Sequence, residues 1–104
     1  MTAYARGANF EREVKADLIA KGWAAVRSAG SHGEIDVMAY DNWFALFVQC
    51  KKNGVFPSEE QKELLRLSKK HDAIPILADK QTGVIRYRTI GRKGVLNEFD
   101  LQNL

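Results

Sequence analysis

The run Trp43-Phe44-Ala45-Leu46-Phe47-Val48-Gln49-Cys50-Lys51 restricts the fold more than any other stretch of the chain. Successive side chains of a strand leave opposite faces, and here both sets are apolar: Phe44, Leu46, Val48 and Cys50 on one side, Ala45 and Phe47 on the other. Such a strand belongs at the centre of a sheet with a layer above and a layer below. It ends in two polar groups of like parity, Gln49 and Lys51. Polar side chains at the end of a buried strand cost free energy unless something uses them.

The flanking sequence supplies the layers. Phe10, Val14 and Leu18 recur at helical spacing and predict a first helix over residues 8–21, with Asn9 as candidate N-cap and Gly22 as the stop. Residues 23–28 read as a short strand, 29–33 as a loop of small residues, and 34–40 as a second strand closed by Asp41-Asn42, which has hairpin-turn chemistry. Pro57-Ser58-Glu59-Glu60-Gln61 opens a second helix with the pattern of a capping box, and that helix runs to about Lys70, presenting Leu64, Leu65 and Leu67. Residues 74–78 form a fourth strand, 79–83 a turn and 84–89 a fifth strand. The order predicts an α/β fold, a mixed five-stranded central sheet flanked by helices, as a single domain over residues 1–104.

Size and composition agree with this expectation. At 104 residues the chain can build one core, and its 45% apolar content with only two prolines describes an ordered domain. No apolar run approaches the roughly 20 residues that span a bilayer, and residues 1–8 lack the apolar core of a signal peptide. A soluble, intracellular, cytoplasmic protein with no membrane partner is expected. The single cysteine, Cys50, has no disulfide partner within the chain and fits a reducing compartment, with packing as its first role. Sixteen basic against thirteen acidic residues leave +3, so any case for a polyanion partner depends on where the charges cluster.

Chemistry concentrates around the central strand. Asp36 lies across the Asp41-Asn42 turn from Gln49 and Cys50, and Glu11 shares a helix face with Val14 and Leu18, which turns it inward. Oxygen ligands from Glu11, Asp36 and Gln49, with the Cys50 carbonyl, suit Mg2+, or Mn2+ as a substitute, since these ions keep several waters and accept phosphate oxygens. Such an ion acidifies a bound water, and Lys51 would hold that water or offset charge on the attacked phosphate. Glu11, Asp36, Gln49 and Lys51 are therefore the candidate catalytic set of a phosphodiesterase. A surface role for Glu11 and a strand-bonding role for Gln49 are the plain alternatives. Arg6, Arg12, Arg27 and Lys52 cluster about this position, and Ser28, Ser31 and His32 add donors that can follow a phosphate backbone. Arg86 and Arg88 share a face of the fifth strand, and Arg92 with Lys93 extends the charge. Lys69 and Lys70 read as a solvated pair complementing a helix end.

These motifs carry a family resemblance. Arg6-Gly7-Ala8-Asn9-Phe10-Glu11-Arg12-Glu13, Gly22-Trp23-Ala24-Ala25-Val26-Arg27-Ser28-Ala29-Gly30-Ser31, Ile35-Asp36-Val37-Met38-Ala39 and Gln49-Cys50-Lys51 together resemble the archaeal-type Holliday junction resolvases of the PD-(D/E)XK nuclease superfamily. The likeness covers about residues 4 to 80. It implies a restriction-endonuclease-like nuclease fold, with the family's helical acid at Glu11, its neighbouring arginine at Arg12, its strand arginine at Arg27, its loop serine at Ser31, its metal-binding aspartate at Asp36 and its lysine at Lys51. Gln49 stands where the family usually carries glutamate. A neutral amide offers an oxygen without charge, and Glu34, of the same parity as Asp36, is a candidate auxiliary acid.

The resemblance implies a DNA-recombination and repair enzyme, a crossover junction endodeoxyribonuclease acting on branched DNA in the nucleoid. Paired nicks across a near two-fold junction further imply a homodimer. Trp23, Trp43, Phe56, Leu96, Phe99 and Leu101 are interface candidates. Two other readings stay open: another nuclease of the superfamily acting on nicks, flaps or mismatches, and a non-catalytic junction-binding protein.

Overall fold

The structure is a computed structural model that describes residues 3–28, 35–91, 94–98 and 101, with the backbone alone described at 3–6 and 95–98. Its elements run α1 (Ala3–Ala20), β1 (Ala24–Arg27), β2 (Val37–Tyr40), β3 (Ala45–Cys50), α2 (Ser58–Lys70), β4 (Ile74–Gln81), β5 (Val84–Gly91) and β6 (Gly94–Glu98). All six strands form one sheet in sequence order. Every neighbouring pair is antiparallel except β3 and β4, which run parallel because α2 carries the chain back between them. The mixed sheet flanked by helices is as expected; β6 is a strand beyond the expected five.

α1 begins five residues earlier than the periodicity predicts, so Asn9 sits within the helix, where its Oδ1 accepts a bond from Arg12 rather than capping. The predicted stop is correct. Gly22 adopts φ +97, its N–H donates to the Ile19 carbonyl, and the Trp23 N–H donates to that of Leu18. This is a Schellman closure, sealed by contact between Trp23 and Leu18 inside the core.

The capping box at α2 does not form. Pro57 occupies the N-cap position, no side chain caps the helix, and Gln61 instead donates from Nε2 to the Phe56 carbonyl at 2.7 Å. A proline cannot offer the N–H that the reciprocal bond of a capping box requires.

Two apolar clusters sandwich the sheet. On one face Phe10, Val14 and Leu18 of α1 pack on Ala25, Val37, Ala39, Leu46 and Val48. On the other, Leu64 of α2 packs with Phe56, Leu77 and Ile90, and Phe47 and Leu65 close around them. β3 is thus central and covered on both sides, as its sequence requires. α2 covers only the β3–β5 end of its face, which leaves Val26, Met38 and Tyr40 of β1 and β2 exposed there; Trp43 in the hairpin turn is exposed as well.

The β4–β5 hairpin corrects a further expectation. Its turn is Thr82-Gly83, both at positive φ, and Asp79 lies inside β4, opposite Arg86. Asp79 is only 1% exposed. Its carboxylate accepts Arg86 Nε at 3.1 Å, Arg86 Nη2 at 2.9 Å and Arg88 Nη2 at 2.8 Å. The two arginines that the sequence places on one face of the fifth strand are therefore engaged by an internal acid. They hold its pKa below the usual carboxylate range against the opposing effect of burial.

Gly54, at φ +78, lies against this cluster so closely that a Cβ would come 2.9 Å from Asp79 Oδ2. The turn after β3 is also bound to β4 by Lys51 N–H to the Ala78 carbonyl and Lys80 N–H to the Lys52 carbonyl. Removing the charge of Asp79 leaves two half-buried guanidiniums without their acceptor. Asp79→Asn is expected to lower the unfolding free energy by about 2–3 kcal/mol in urea titrations with the denaturant slope unchanged.

Candidate metal centre and nucleic-acid interface

The antiparallel pairing of β2 with β3 sets Val37 opposite Val48, so Asp36 arrives one residue before the paired strand and beside the end of β3. There its backbone N–H donates to the Val48 carbonyl, and its Oδ2 accepts the Cys50 N–H at 2.8 Å. Asp36 is 7% exposed. Burial raises its pKa, the Cys50 N–H opposes the rise, Glu11 and Glu60 add to it and Lys51 counters them; the outcome is about 6. A carboxyl this reluctant to ionise is a group in need of a cation.

Glu11 lies on α1 between the buried Phe10 and Val14, its side chain mostly shielded, and accepts Arg27 Nε at 2.9 Å. That ion pair fastens α1 to β1 and directs the Arg27 guanidinium toward an acid of the site. Gln49, on the other flank of Asp36, is buried, and among the described residues its Oε1 is a buried oxygen with no hydrogen-bond partner. Lys51 closes the group from the turn after β3, its Nζ 2.9 Å from Glu60 Oε1 on the first turn of α2.

Among the described residues no three His, Cys, Asp or Glu side chains stand together as a ready metal cage. The donor set is leaner: Asp36, the nearby charge of Glu11 and the orphaned oxygen of Gln49. Ions that retain most of their water fit such a set, because magnesium is held by one or two carboxylates and completes its shell with solvent and phosphate. The Cys50 thiol is inert, since burial, with the charges of Asp36 and Glu11 beside it, pushes its pKa far up.

The basic residues gather unevenly. Arg12 and Lys52 are exposed, and Ser28 is half-buried with its N–H donating to the Asp36 carbonyl. The side chain of Arg6 and all of Ser31, His32, Glu34, Arg92 and Lys93 lie outside the described residues, as do Phe99 and the side chain of Leu96. Lys69 and Lys70 are exposed at the end of α2, as expected for charges complementing a helix dipole.

Two residues escaped the sequence reading. Lys80 joins Lys51, Lys52 and Asn53 around a cavity of about 580 Å3 floored by Gly7 and Phe10 of α1. Only the parallel pairing of β3 and β4 brings it there, and nothing local to its position signals it. Glu60 was legible only as part of a helix start. Of the interface candidates, Trp23, Phe56 and Leu101 are core residues, whereas Trp43 is 84% exposed.

Comparison with known proteins meets this geometry. The model of the family described as archaeal Holliday junction resolvase (Hjc) matches residues 2–100. The chain belongs to that family. Among curated proteins it is 31% identical over 105 residues to the crossover junction endodeoxyribonuclease Hjc of Methanocaldococcus jannaschii, a match covering 91% of this chain and 78% of that protein. Among solved structures it aligns with Archaeoglobus fulgidus Hjc, a Holliday junction resolvase from an archaeal hyperthermophile. That match has a TM-score of 0.68 and 25% identity, and covers 79% of this chain and 70% of the other. Membership carries the family's activity, junction resolution by an endonuclease, and in general terms the use of a divalent metal ion. No helix among the described residues is long and apolar enough to cross a membrane.

The Asp36 carboxyl makes a prediction with a definite sign. Its folded pKa of about 6 exceeds the ordinary 3.8, so between these values the folded state binds more protons than the unfolded one and stability falls as pH rises. In metal-free buffer, Asp36→Asn is expected to raise the unfolding free energy at pH 7 by about 2 kcal/mol, and the gain should vanish below pH 4. Thermal melts in chelator across pH 3.5–7.5 measure it. Added divalent ion should stabilise the wild type and not the variant.

Proposed function

We propose that this chain, acting as a single nuclease domain, resolves four-way DNA junctions by magnesium-dependent phosphodiester hydrolysis, with Glu11, Asp36 and Gln49 as the metal-holding side chains and Lys51 as the catalytic cation. The observation that carries this reading is the desolvated Asp36 carboxyl beside the end of β3, with the charges of Glu11 and Lys51 acting on it and, on the neighbouring strand, a Gln49 oxygen without a hydrogen-bond partner among the described residues. Asp36, Glu11 and Gln49 would hold Mg2+, or Mn2+ in its place, and the bound ion would supply an acidified water and charge to offset that of the attacked phosphate.

The chain's own groups do the rest. One Asp36 oxygen is committed to the Cys50 N–H, which fixes the carboxylate plane and orients the acid. Glu11 holds Arg27 at the margin of the site. The Lys51 ammonium, paired with Glu60 beside the end of β3, would offset negative charge that grows on the attacked phosphate. The Cys50 carbonyl is a further candidate ligand, and Glu34 a candidate auxiliary acid.

The phosphate backbone is read by Arg6, Arg12, Arg27, Ser28, Ser31, His32 and Lys52, with Lys80 added by the fold. With no base-reading helix among the described residues, selection follows backbone shape and charge. Binding should therefore weaken steeply with salt.

Cleaving both strands of a near-symmetric junction needs two sites, and the exposed apolar face of Val26, Met38 and Tyr40, with Trp43 exposed in the adjoining turn, supports a homodimer built on it. Met38→Glu with Tyr40→Glu is expected to halve the solution mass measured by light scattering and to leave the helical circular dichroism unchanged. An unaltered mass would remove this face as the interface.

The central test incubates wild type, Asp36→Asn and Lys51→Ala with labelled four-way junction and linear duplex, with and without magnesium. Only the wild type should give symmetric nicks, confined to the junction, with both variants losing at least about 100-fold in rate and still binding the junction. Equal cutting of plain duplex would favour a general nuclease acting on nicks, flaps or mismatches. The neutral amide at Gln49 favours one rival, a non-catalytic junction-binding protein, which tight binding without any cleavage would select.

A further inference from the structure

Glu60 stands at the site with no role in the mechanism above, and its environment differs from that of its neighbour. Glu59 and Glu60 share the first turn of α2. Glu59 pairs with Lys62 at 3.4 Å on the open surface, the two side chains 87% and 71% exposed. Glu60 pairs with Lys51 at 2.9 Å, the two only 37% and 27% exposed. Pairs of the first kind contribute little, whereas partial burial and short geometry strengthen the second.

We infer that Glu60 is a positioning residue for Lys51: from the first turn of α2 it holds the ammonium at the end of β3 and competes with the DNA phosphate for it.

The scaffold supports this role. α2 is fixed by Leu64 against Phe56, Leu77 and Ile90 and by the Gln61 amide on the Phe56 carbonyl, so its first turn is rigid relative to β3. A carboxylate there is further stabilised by the helix N-terminus. Lys51 is the opposite, a long side chain in the turn after β3 with many rotamers to lose, and the Glu60 bond restricts it. Glu60 is also near enough to bear on the Asp36 carboxyl, alongside Glu11 and Lys51.

Two consequences run in opposite directions. Glu60 occupies Lys51 and so withholds the ammonium from an incoming phosphate, which weakens DNA binding; it also preorganises Lys51, so it speeds the chemical step. A residue that merely supports the fold would depress both, and an idle surface pair would affect neither.

This inference rests on the nuclease reading and on Lys51 as its cation. The test measures junction affinity in calcium and single-turnover cleavage in magnesium for wild type, Glu60→Gln, Glu59→Gln, Lys51→Ala and the Lys51→Ala/Glu60→Gln double variant, with a melting temperature for each. Glu60→Gln should bind the junction about threefold more tightly and cleave it about tenfold more slowly, while Glu59→Gln matches wild type in both. In the Lys51→Ala background Glu60→Gln should change neither quantity further, the signature of two residues acting as one unit. Equal effects of the Glu59 and Glu60 substitutions, or additivity in the double variant, would overturn the proposal. If the wild type itself does not cut, the nuclease reading fails separately, and the affinity arm alone then decides whether Glu60 restrains Lys51.

Discussion

A carboxylate driven out of water at the end of a sheet is the constraint on which the rest of this molecule depends. Asp36 leaves the β2–β3 ladder one residue early and turns its Oδ2 onto the Cys50 N–H, so the sheet itself orients the acid. Burial makes its charge costly, and the charge of Glu11 makes it costlier. A cation bound here would offset the cost that burial and Glu11 place on the charge of Asp36. In the proposed site the free energy withheld from stability would be recovered on binding, the exchange expected of functional sites.

The opposite electrostatic solution appears some strands away. Asp79 is buried more deeply still, yet Arg86 and Arg88 satisfy it from the adjacent strand and hold its pKa down. One buried acid is neutralised within the fold; the other is left wanting. The Asp79 cluster nevertheless serves the site, since Gly54 packs onto it and the Lys51–Gly54 turn is bound to β4 on either side of it. The position of Lys51 thus depends on a stabilised acid behind it and on Glu60 of α2 in front.

Much of this was legible in the chain. The doubly apolar run at residues 44–48 required a central strand, Gly22 marked the end of α1, and the parity of Gln49 and Lys51 with the turn at Asp41-Asn42 brought Asp36 to the end of β3. What escaped was governed by pairing rather than by local pattern. Asp79, following an apolar run and preceding Thr82-Gly83, has the look of turn chemistry, and only its register opposite Arg86 makes it a strand residue. Trp23 and Phe56 resembled interface aromatics because composition does not distinguish a core from an exposed face.

The sequence by itself determined the class of layers and the central strand, and it named the candidate oxygen donors, because side-chain parity and helical period are properties of neighbouring residues. Tertiary structure alone decided that Glu60 meets Lys51, that Lys80 joins the same cavity, that Arg86 and Arg88 are engaged internally, and that β1 and β2 present an uncovered apolar face. Those contacts arise from the parallel return of β4 beside β3 and from where α2 comes to rest, and neither is written in any short stretch of residues.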